Sequence, residues 1–476
     1  MTSLVIRQAC FQSGTTTMLT RPSKAPPRLF GTNGIRGVVG KEVNADFSYR
    51  LGSSTGLLFK PGPVAVGRDG RTSGMMLCEG VVSGILSQGC DVTDYALTTT
   101  PALQFLVKNG KGAGGVMVTA SHNPPEYNGF KVIASDGVEV SRKLEAKIEF
   151  LVERNTWKLG KKPGRRVKPI DGLNPYFNGL RTQAQEISEK LHHIKAVVDV
   201  GNGVAALTTP KILRDLGCSV FGVNDNIDGR FPGRLSEPRP ETLATLSGMV
   251  QQVGADFGVA HDGDGDRAIF ADEKGTIQWG DRSFALVVDE VLKNKPGAKV
   301  VTPLNSSMAV GEIVKKRHGR LILTKVGSVE VSRTMIRAGA VIGGEENGGI
   351  FYAPHHPVRD GTMAVLLVLK ALVRNKVSLS TLMNRLPRFV MAKEKFDCRN
   401  ESSKVKAIAW LKKQLGTRVT STLDGVKVDV KNRGWVLIRP SGTEPLVRLY
   451  AEGVTEKDLS GLLDEFKPMM QRALKV

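Results

Sequence analysis

The chain reads as an α/β protein: three similar α/β domains with mixed sheets, followed by a smaller C-terminal α+β domain. Three observations predict this. At 476 residues the chain is too long for one hydrophobic core. A unit of strand, small-residue loop, amphipathic helix, glycine and strand recurs three times. The C-terminal part instead alternates short strands with turns between two helical stretches.

In chain order, residues 1–28 lack acidic side chains, are rich in Ser and Thr and end in "RPSKAPPR". They read as a basic, disordered tail, with a transit peptide or a start set upstream of Met18 as alternatives. Residues 29–160 form the first α/β domain, around "VAVGRDGRTSG" and "VVSGILSQGCDVTDY". "RNTWKLGKKPGRRVKPIDG" is polar, rich in Gly and Pro, and reads as a linker. The second domain, 161–260, carries "AVVDVGNGVAALTTPKILRDLGCSVFGV", and the third, 261–388, carries "VVTPLNSSMAVGEIVKKRHGRLILT". Gly89, Gly217 and Gly319 hold the same place after each helix, where a left-handed C-cap suits glycine. In residues 389–476, helices "VKAIAWLKKQL" and "EKDLSGLLDEFKPMMQRAL" flank the strands of "VTSTLDGVKVDVKNRGWVLIRPSGTEPLVRLYAEG".

The net charge of +21 raises nucleic acid as a partner. Its distribution speaks against that. Basic residues are spread along the whole chain, the clusters "LGKKPGRRVK" and "VKKRHGR" read as a linker and a helix end, and aromatics make up only 6%. A field of this sign also gathers small phosphorylated substrates, which is the preferred reading. No apolar stretch approaches the roughly 20 residues of a membrane span. Cys10, Cys78, Cys90, Cys218 and Cys398 are odd in number and lack metal or disulfide spacing, which suits a reducing, cytoplasmic setting.

Four segments carry chemistry. "TASHNPPEYNGFK" follows the apolar strand "GGVMV", so Ser121 sits at a strand end, where α/β sheets collect ligands; a surface turn is the competing reading. "HDGDGDRAIF" places Asp262, Asp264 and Asp266 at alternate positions. In an extended segment these would face one point and call for a hard cation, Mg²⁺ or Ca²⁺. An EF-hand fails because Arg267 stands where the loop needs glycine, although Glu273 falls at position twelve, and because the flanks read as strands. "RPSGTEPLVRLYAE" offers guanidinium forks, hydroxyls and backbone donors to a phosphate. "GGEENGGI" offers an amide and carboxylates to sugar hydroxyls, or forms a solvated hairpin.

Together, and in this order from about Leu29 onward, these segments resemble the α-D-phosphohexomutase family, which comprises phosphoglucomutases, phosphomannomutases and phosphoglucosamine mutases. The resemblance implies an isomerase with its active site in a central cleft. It makes Ser121 a phosphoserine, and assigns Asp262, Asp264 and Asp266, with the phosphoryl group on Ser121, to Mg²⁺. Arg36, His122, Lys131 and Arg267 then line the reaction centre. Glu345 and Asn347 meet sugar hydroxyls, Lys325 and Gly327 belong to a further sugar-contacting loop, and Arg439, Ser441, Gly442, Thr443 and Arg448 hold the non-reacting phosphate. Hexose 1,6-bisphosphate is the implied intermediate and activator, and a phosphosugar the implied partner, with no nucleic acid and no membrane; a homo-oligomer is left open. Bacterial members usually read GExSGH, whereas Asn347 and Gly349 stand here for the serine and histidine, as in archaeal-type members. His355 and His356 are the candidate stand-ins. The loop favours glucosamine phosphate, with a dual glucose/mannose enzyme as the alternative.

Overall fold

The computed structural model describes residues 29–475 apart from 32, 111, 156–158 and 442–445. The expected tail, 1–28, lies outside the described residues. The first sheet contains β1 (Ile35–Val38), β2 (Val64–Arg68), β3 (Val92–Leu97), β4 (Gly114–Val118), β5 (Tyr127–Ala134) and β6 (Arg166–Val167), in the order β1-β5-β4-β2-β3-β6. The second contains β7 (Lys195–Asp199), β8 (Ser219–Val223), β9 (Phe257–His261), β10 (Ala268–Asp272) and β11 (Ile277–Gln278), ordered β11-β10-β9-β7-β8. The third contains β12 (Lys299–Pro303), β13 (Arg320–Thr324), β14 (Ile342–Gly344), β15 (Ile350–Tyr352) and β16 (His356–Arg359), ordered β13-β12-β14-β15-β16. The fourth, β17 (Val390–Asp397), β18 (Val426–Val430), β19 (Gly434–Pro440) and β20 (Leu446–Gly453), is antiparallel throughout.

The first three sheets share one plan. A parallel pair joined through a helix, β2–β3, β7–β8 or β12–β13, comes first. A further strand then adds in parallel and turns back as an antiparallel hairpin: β4 into β5, β9 into β10, β14 into β15. The segments that hold Ser121, the three aspartates and Glu345 are the loops of these three hairpins. They lie at the carboxyl ends of strands parallel to their neighbours, the edge at which such sheets bind ligands.

The sheets move one expected boundary. Position 260 falls inside the second sheet, because β9 pairs with β10 and β10 with β11, so the unit runs on to Gln278. Within the expected linker, Arg166 and Val167 pair with Val92 and Thr93 on β3. Gly89 and Gly217 take φ of +75° and +95°, the left-handed C-cap conformation. At the third helix His318 takes it instead, with φ +55°, one residue before the expected Gly319.

Burial follows strand position. β4, β9 and β10 are buried along their whole length, as strands covered on both faces must be. The helix Gly361–Asn375 lies at the centre of a core that also takes in Ala102, Tyr176, Phe257, Phe284 and Val300. Asp360 caps its start by accepting from Met363 N. Cys78, Cys90, Cys218 and Cys398 are free thiols. Among the described residues no helix is long and apolar enough to cross a membrane.

Candidate functional site

Ser121 stands three residues past the last ladder pair of β4, with φ +52°. A non-glycine residue in this region is strained and needs surroundings that hold it. Arg71, in the loop after β2, supplies much of that support. It is 1% exposed, and its guanidinium donates to the carbonyls of Ser121 (2.9 Å), Asn123 (2.6 Å), Pro124 (2.6 Å) and Tyr127 (2.8 Å). Asp69 holds Arg71 Nε at 3.2 Å and accepts from Thr119 Oγ1 at 2.6 Å. Thr119 Oγ1 in turn accepts from Ser121 N at 2.8 Å. From the second unit Ser236 Oγ donates to the Ser121 carbonyl at 2.8 Å.

So held, the Ser121 hydroxyl donates to Asp262 Oδ2 at 2.7 Å. Asp262, Asp264 and Asp266 each present a carboxylate oxygen, and these oxygens lie within 4.8 Å of one another. They converge by a different route from the one expected. Residues 262–267 are not extended: Gly265 N donates to Asp262 O at 3.1 Å and Gly265 takes φ +73°, so the segment is a tight turn between β9 and β10. A pleated strand would space alternate residues by roughly 6.6 Å, too far for this cluster.

The donors around the triad show what it fits. Lys131 Nζ, on β5, donates to Asp264 Oδ2 (2.7 Å) and Asp266 Oδ2 (2.8 Å). Thr100 Oγ1 also donates to Asp264 Oδ2, and Arg359 Nη2 to Asp266 Oδ2 at 2.6 Å. Oδ1 of Asp264 and Oδ1 of Asp266 are buried without a hydrogen-bond partner. Buried acceptors left in this state are costly unless a cation completes them. Burial raises the Asp262 pKa, and the charges of Asp266 and Asp264 raise it further. For Asp264 burial acts in the same direction, but Lys131 outweighs it and holds the group below its ordinary value. An all-oxygen set of this kind fits a hard divalent ion.

Four cations enclose the cluster: Lys131, Arg36, Arg267 and Arg359. Arg36, on β1, donates to Asn123 Oδ1 at 2.9 Å, and burial followed by the charge of Arg267 pulls its pKa down to about 10. Arg267 reaches Glu237 Oε1 at 3.2 Å and His122 Nδ1 at 2.9 Å. His122 Nδ1 is also 3.4 Å from Ser121 Oγ. Burial, then the charges of Arg267 and Arg36, holds the imidazole well below its ordinary pKa, so it is neutral. The arginine can only donate, so Nδ1 accepts and the ring proton sits on Nε2.

Glu345, 4% exposed, joins this group through Arg359, whose Nη1 lies 3.4 Å from Glu345 Oε2. Asn347 is half-buried in the same loop, and its Oδ1 accepts from Gly349 N at 3.3 Å. A second group lies between the third and fourth sheets. Lys325 is exposed, Gly327 has φ +139°, and Val326 N between them donates to Asp424 Oδ2 at 3.0 Å. The same oxygen accepts from Arg439 Nε at 2.8 Å. Arg439 and Arg448 are paired directly across β19 and β20, which sets two guanidinium side chains next to each other. Ser441 N donates to Leu446 O at 2.9 Å; Gly442 and Thr443 lie outside the described residues.

His355 and His356 do not stand in at the reaction centre. His355 stacks on Phe105 at 4.6 Å, and His356 Nε2 donates to the Gly137 carbonyl at 3.1 Å, both where the third unit packs on the first. Strand β16 starts at His356, turns that side chain to the seam and leaves Arg359, three residues on, facing the cluster. Glu273 is accounted for as well: it accepts from Ser380 N at 3.0 Å, at the start of the helix Leu379–Asn384, and is no calcium ligand of the triad's loop. Arg71, Thr100, Arg359 and Asp424 escaped the sequence reading. For Arg71 a signal existed, since "GRDGRTS" repeats arginine beside a strand end.

Comparison with known proteins places this geometry in a family. Four family models for phosphoglucomutase/phosphomannomutase match in order: alpha/beta/alpha domain I over residues 27–159, domain II over 174–275, domain III over 279–389 and the C-terminal domain over 395–468. A phosphoglucosamine/phosphogalactosamine mutase of Sulfurisphaera tokodaii is 40% identical over 455 residues, 93% of this chain and 99% of the relative. A phosphoglucomutase/phosphomannomutase of Thermococcus kodakarensis is 37% identical over 460 residues, 94% of this chain and 99% of the relative. The crystal structure of a phosphoglucomutase/phosphomannomutase family protein from Burkholderia thailandensis superposes with a TM-score of 0.83 at 28% identity, covering 94% of this chain and 97% of that one. With all four regions present and relatives aligned over nearly their full length, the chain belongs to the phosphoglucomutase/phosphomannomutase family and is a phosphohexomutase.

Proposed function

We propose that this phosphohexomutase interconverts hexose 1-phosphate and hexose 6-phosphate through a phosphorylated Ser121 and a hexose 1,6-bisphosphate, with glucosamine phosphate as its hexose. The observation that carries this reading is the Ser121 hydroxyl, held in a strained turn 2.7 Å from Asp262 and facing a buried carboxylate triad. Phosphate esters cleave very slowly unaided, so the protein must supply position and charge neutralisation.

Mg²⁺ is the ion we assign to Asp262, Asp264, Asp266 and the Ser121 phosphoryl group; when bound, it neutralises charge on the transferring phosphoryl. The sugar hydroxyl bonds to phosphorus as the bond from phosphorus to Ser121 Oγ breaks, and the electron pair returns to Oγ. Glu345 takes the hydroxyl proton, and its burial, which raises its pKa, favours the protonated form. Lys131 and Arg267 offset the charge of the group in flight. His122, neutral and held by Arg267, packs beside Oγ and positions it. Arg439 and Arg448, with Ser441, Gly442 and Thr443, clamp the phosphate that is not reacting, and Lys325 and Gly327 border the sugar. After the bisphosphate turns over, its other phosphate returns to Ser121. The C-terminal unit, bonded to the third through Asp424, keeps water away from the intermediate.

Glucosamine phosphate is supported by the "GGEENGG" loop and by the name of the 40% identical relative. The name of the 37% identical relative supports dual glucose/mannose use instead. A panel of glucosamine, glucose and mannose 1-phosphates, assayed for the 6-phosphates with Mg²⁺ and a trace of bisphosphate, decides between them. The proposal expects the highest kcat/KM for glucosamine 1-phosphate; higher values for glucose and mannose would reverse the assignment.

A further inference from the structure

Arg359 touches all three α/β units at once. Its Nη2 donates to Asp266 Oδ2 in the second unit at 2.6 Å, and its Nη1 lies 3.4 Å from Glu345 Oε2 in the third. With its amide oriented to satisfy both ends, Asn33 of the first unit accepts from Nη2 and donates to Glu139 Oε1 at 3.3 Å. The side chain is 6% exposed. Its place on β16 is secured by pairing with Phe351. Asp266 Oδ2 is thus held from two sides, by Lys131 and Arg359, and Oδ1 accepts no hydrogen bond from the described residues.

Gly349 makes room for this. A Cβ there would lie 2.4 Å from Arg359 Cδ and 2.9 Å from Cγ, whereas its next neighbour, Asn347 Oδ1, would be at an ordinary 3.4 Å. The glycine has no positive φ, so the stem of the arginine is what a side chain at 349 would displace. The sugar-facing loop and Arg359 are fitted to each other.

We propose that Arg359 is a positioning residue that sets Glu345 in register with Asp266, so that the hexose bound in the third unit meets the phosphoryl group carried between the first two. Its planar fork presents donors in fixed directions and so orients the two carboxylates relative to each other, whereas the donors of an ammonium rotate freely. The inference rests on the mutase reading above. Because Arg359 acts through the hexose, its loss should slow transfer between Ser121 and the sugar in both directions, the step from bisphosphate to Ser121 included, and leave the fold intact.

The test uses Arg359→Lys, Gly349→Ala and the double variant in the full chain with Mg²⁺. Arg359→Lys keeps the charge and loses the fork; Gly349→Ala removes no functional group and pushes the fork away. Each single variant should lower kcat/KM by about ten- to a hundredfold, the loss of a charged hydrogen bond, chiefly through a raised KM for hexose 1-phosphate. Each should also release more free bisphosphate. Ser121 phosphorylation by bisphosphate, followed by intact mass against time, should slow as well, while its end point and the melting temperature match the unmodified chain. The double variant should be no worse than the poorer single, since both remove one interaction. The inference is overturned if Gly349→Ala behaves as the unmodified chain, if the two losses multiply, or if the melting temperature falls in both singles, which marks a purely structural role. Failure of the mutase reading is seen separately, as absence of turnover by the unmodified chain on every hexose phosphate in the same assay.

Discussion

Replacing Arg71 by lysine should loosen the Ser121 turn without unfolding the unit that carries it. The guanidinium reaches four carbonyls and one carboxylate, all within 3.2 Å. A lysine ammonium has three donors for these five acceptors, so at least two of them, buried or part-buried, lose their donor. Each buried acceptor left unpaired costs about 1–3 kcal/mol, and relaxation of the turn recovers part of it, giving about 2–4 kcal/mol in all. That is less than the roughly 5–15 kcal/mol that holds a domain together, so the sheet should persist. At about 1.4 kcal/mol per factor of ten, local opening becomes about thirty- to a thousandfold more frequent. Amide hydrogen exchange reads this directly. Asn123 N, bonded to Ala120 O at 3.1 Å, and Tyr127 N, bonded to Pro124 O at 3.1 Å, should exchange faster by this factor, while the buried amides of β4 stay protected. Ser121 should also accept phosphate from bisphosphate more slowly, because its strained φ is no longer enforced. Unchanged exchange at Asn123 and Tyr127, or an equal rise throughout β4, would refute the assignment of Arg71 as the support of this turn.

Asp264→Asn should abolish high-affinity Mg²⁺ binding in titration calorimetry and lower kcat by about two orders of magnitude or more, with an unchanged melting temperature; turnover in Mg²⁺-free buffer by the unmodified chain would contradict this. Asp424→Ala removes the shared partner of Val326 N and Arg439 Nε, and should raise KM for hexose phosphate about tenfold with kcat little changed; an effect on kcat alone would count against its role in substrate binding. His356 predicts a pH dependence. Burial pulls its pKa down to about 3, against roughly 6.5 in the unfolded chain, so the folded protein refuses a proton that the unfolded chain binds. This contribution to stability is complete above pH 6.5 and is lost as pH falls toward 3, by up to about 1.4 kcal/mol per pH unit. His356→Gln, which can still donate to Gly137 O, should flatten urea-unfolding midpoints measured from pH 6 to pH 4; an unaltered slope would place the acid sensitivity elsewhere.

What could be read from the sequence was local. Ser121 after a run of β-branched residues, and three aspartates flanked by strand-like segments, announce themselves within a dozen positions, because a strand end and a carboxylate cluster are each made by neighbours in the chain. Even there the cause differed from the expected one. Gly265 bends the aspartates into a turn, and a glycine between acidic residues fits either a turn or a strand edge. Arg71 supports a loop some fifty residues ahead of it, Arg359 joins segments of three sheets, and Asp424 bridges β18's turn to the loop before the helix Ser328–Ala338. Such contacts depend on how sheets pack, and no periodicity records that. The repeated architecture lies between these extremes. Its helix-linked parallel strands were visible as a repeat, but the hairpin closing each sheet was not, so the second unit was cut at 260 through its own β9–β10 pair.

Ser121 is assigned as the residue that carries the phosphoryl group. The most direct test is to incubate the purified chain with Mg²⁺ and hexose 1,6-bisphosphate, then locate the modification by peptide mass spectrometry and repeat the measurement on Ser121→Ala. One phosphoryl group on Ser121, absent from a variant that has also lost turnover, is the predicted result. A phosphoryl group on another residue, or a Ser121→Ala chain that still interconverts the hexose phosphates at the unmodified rate, would contradict it.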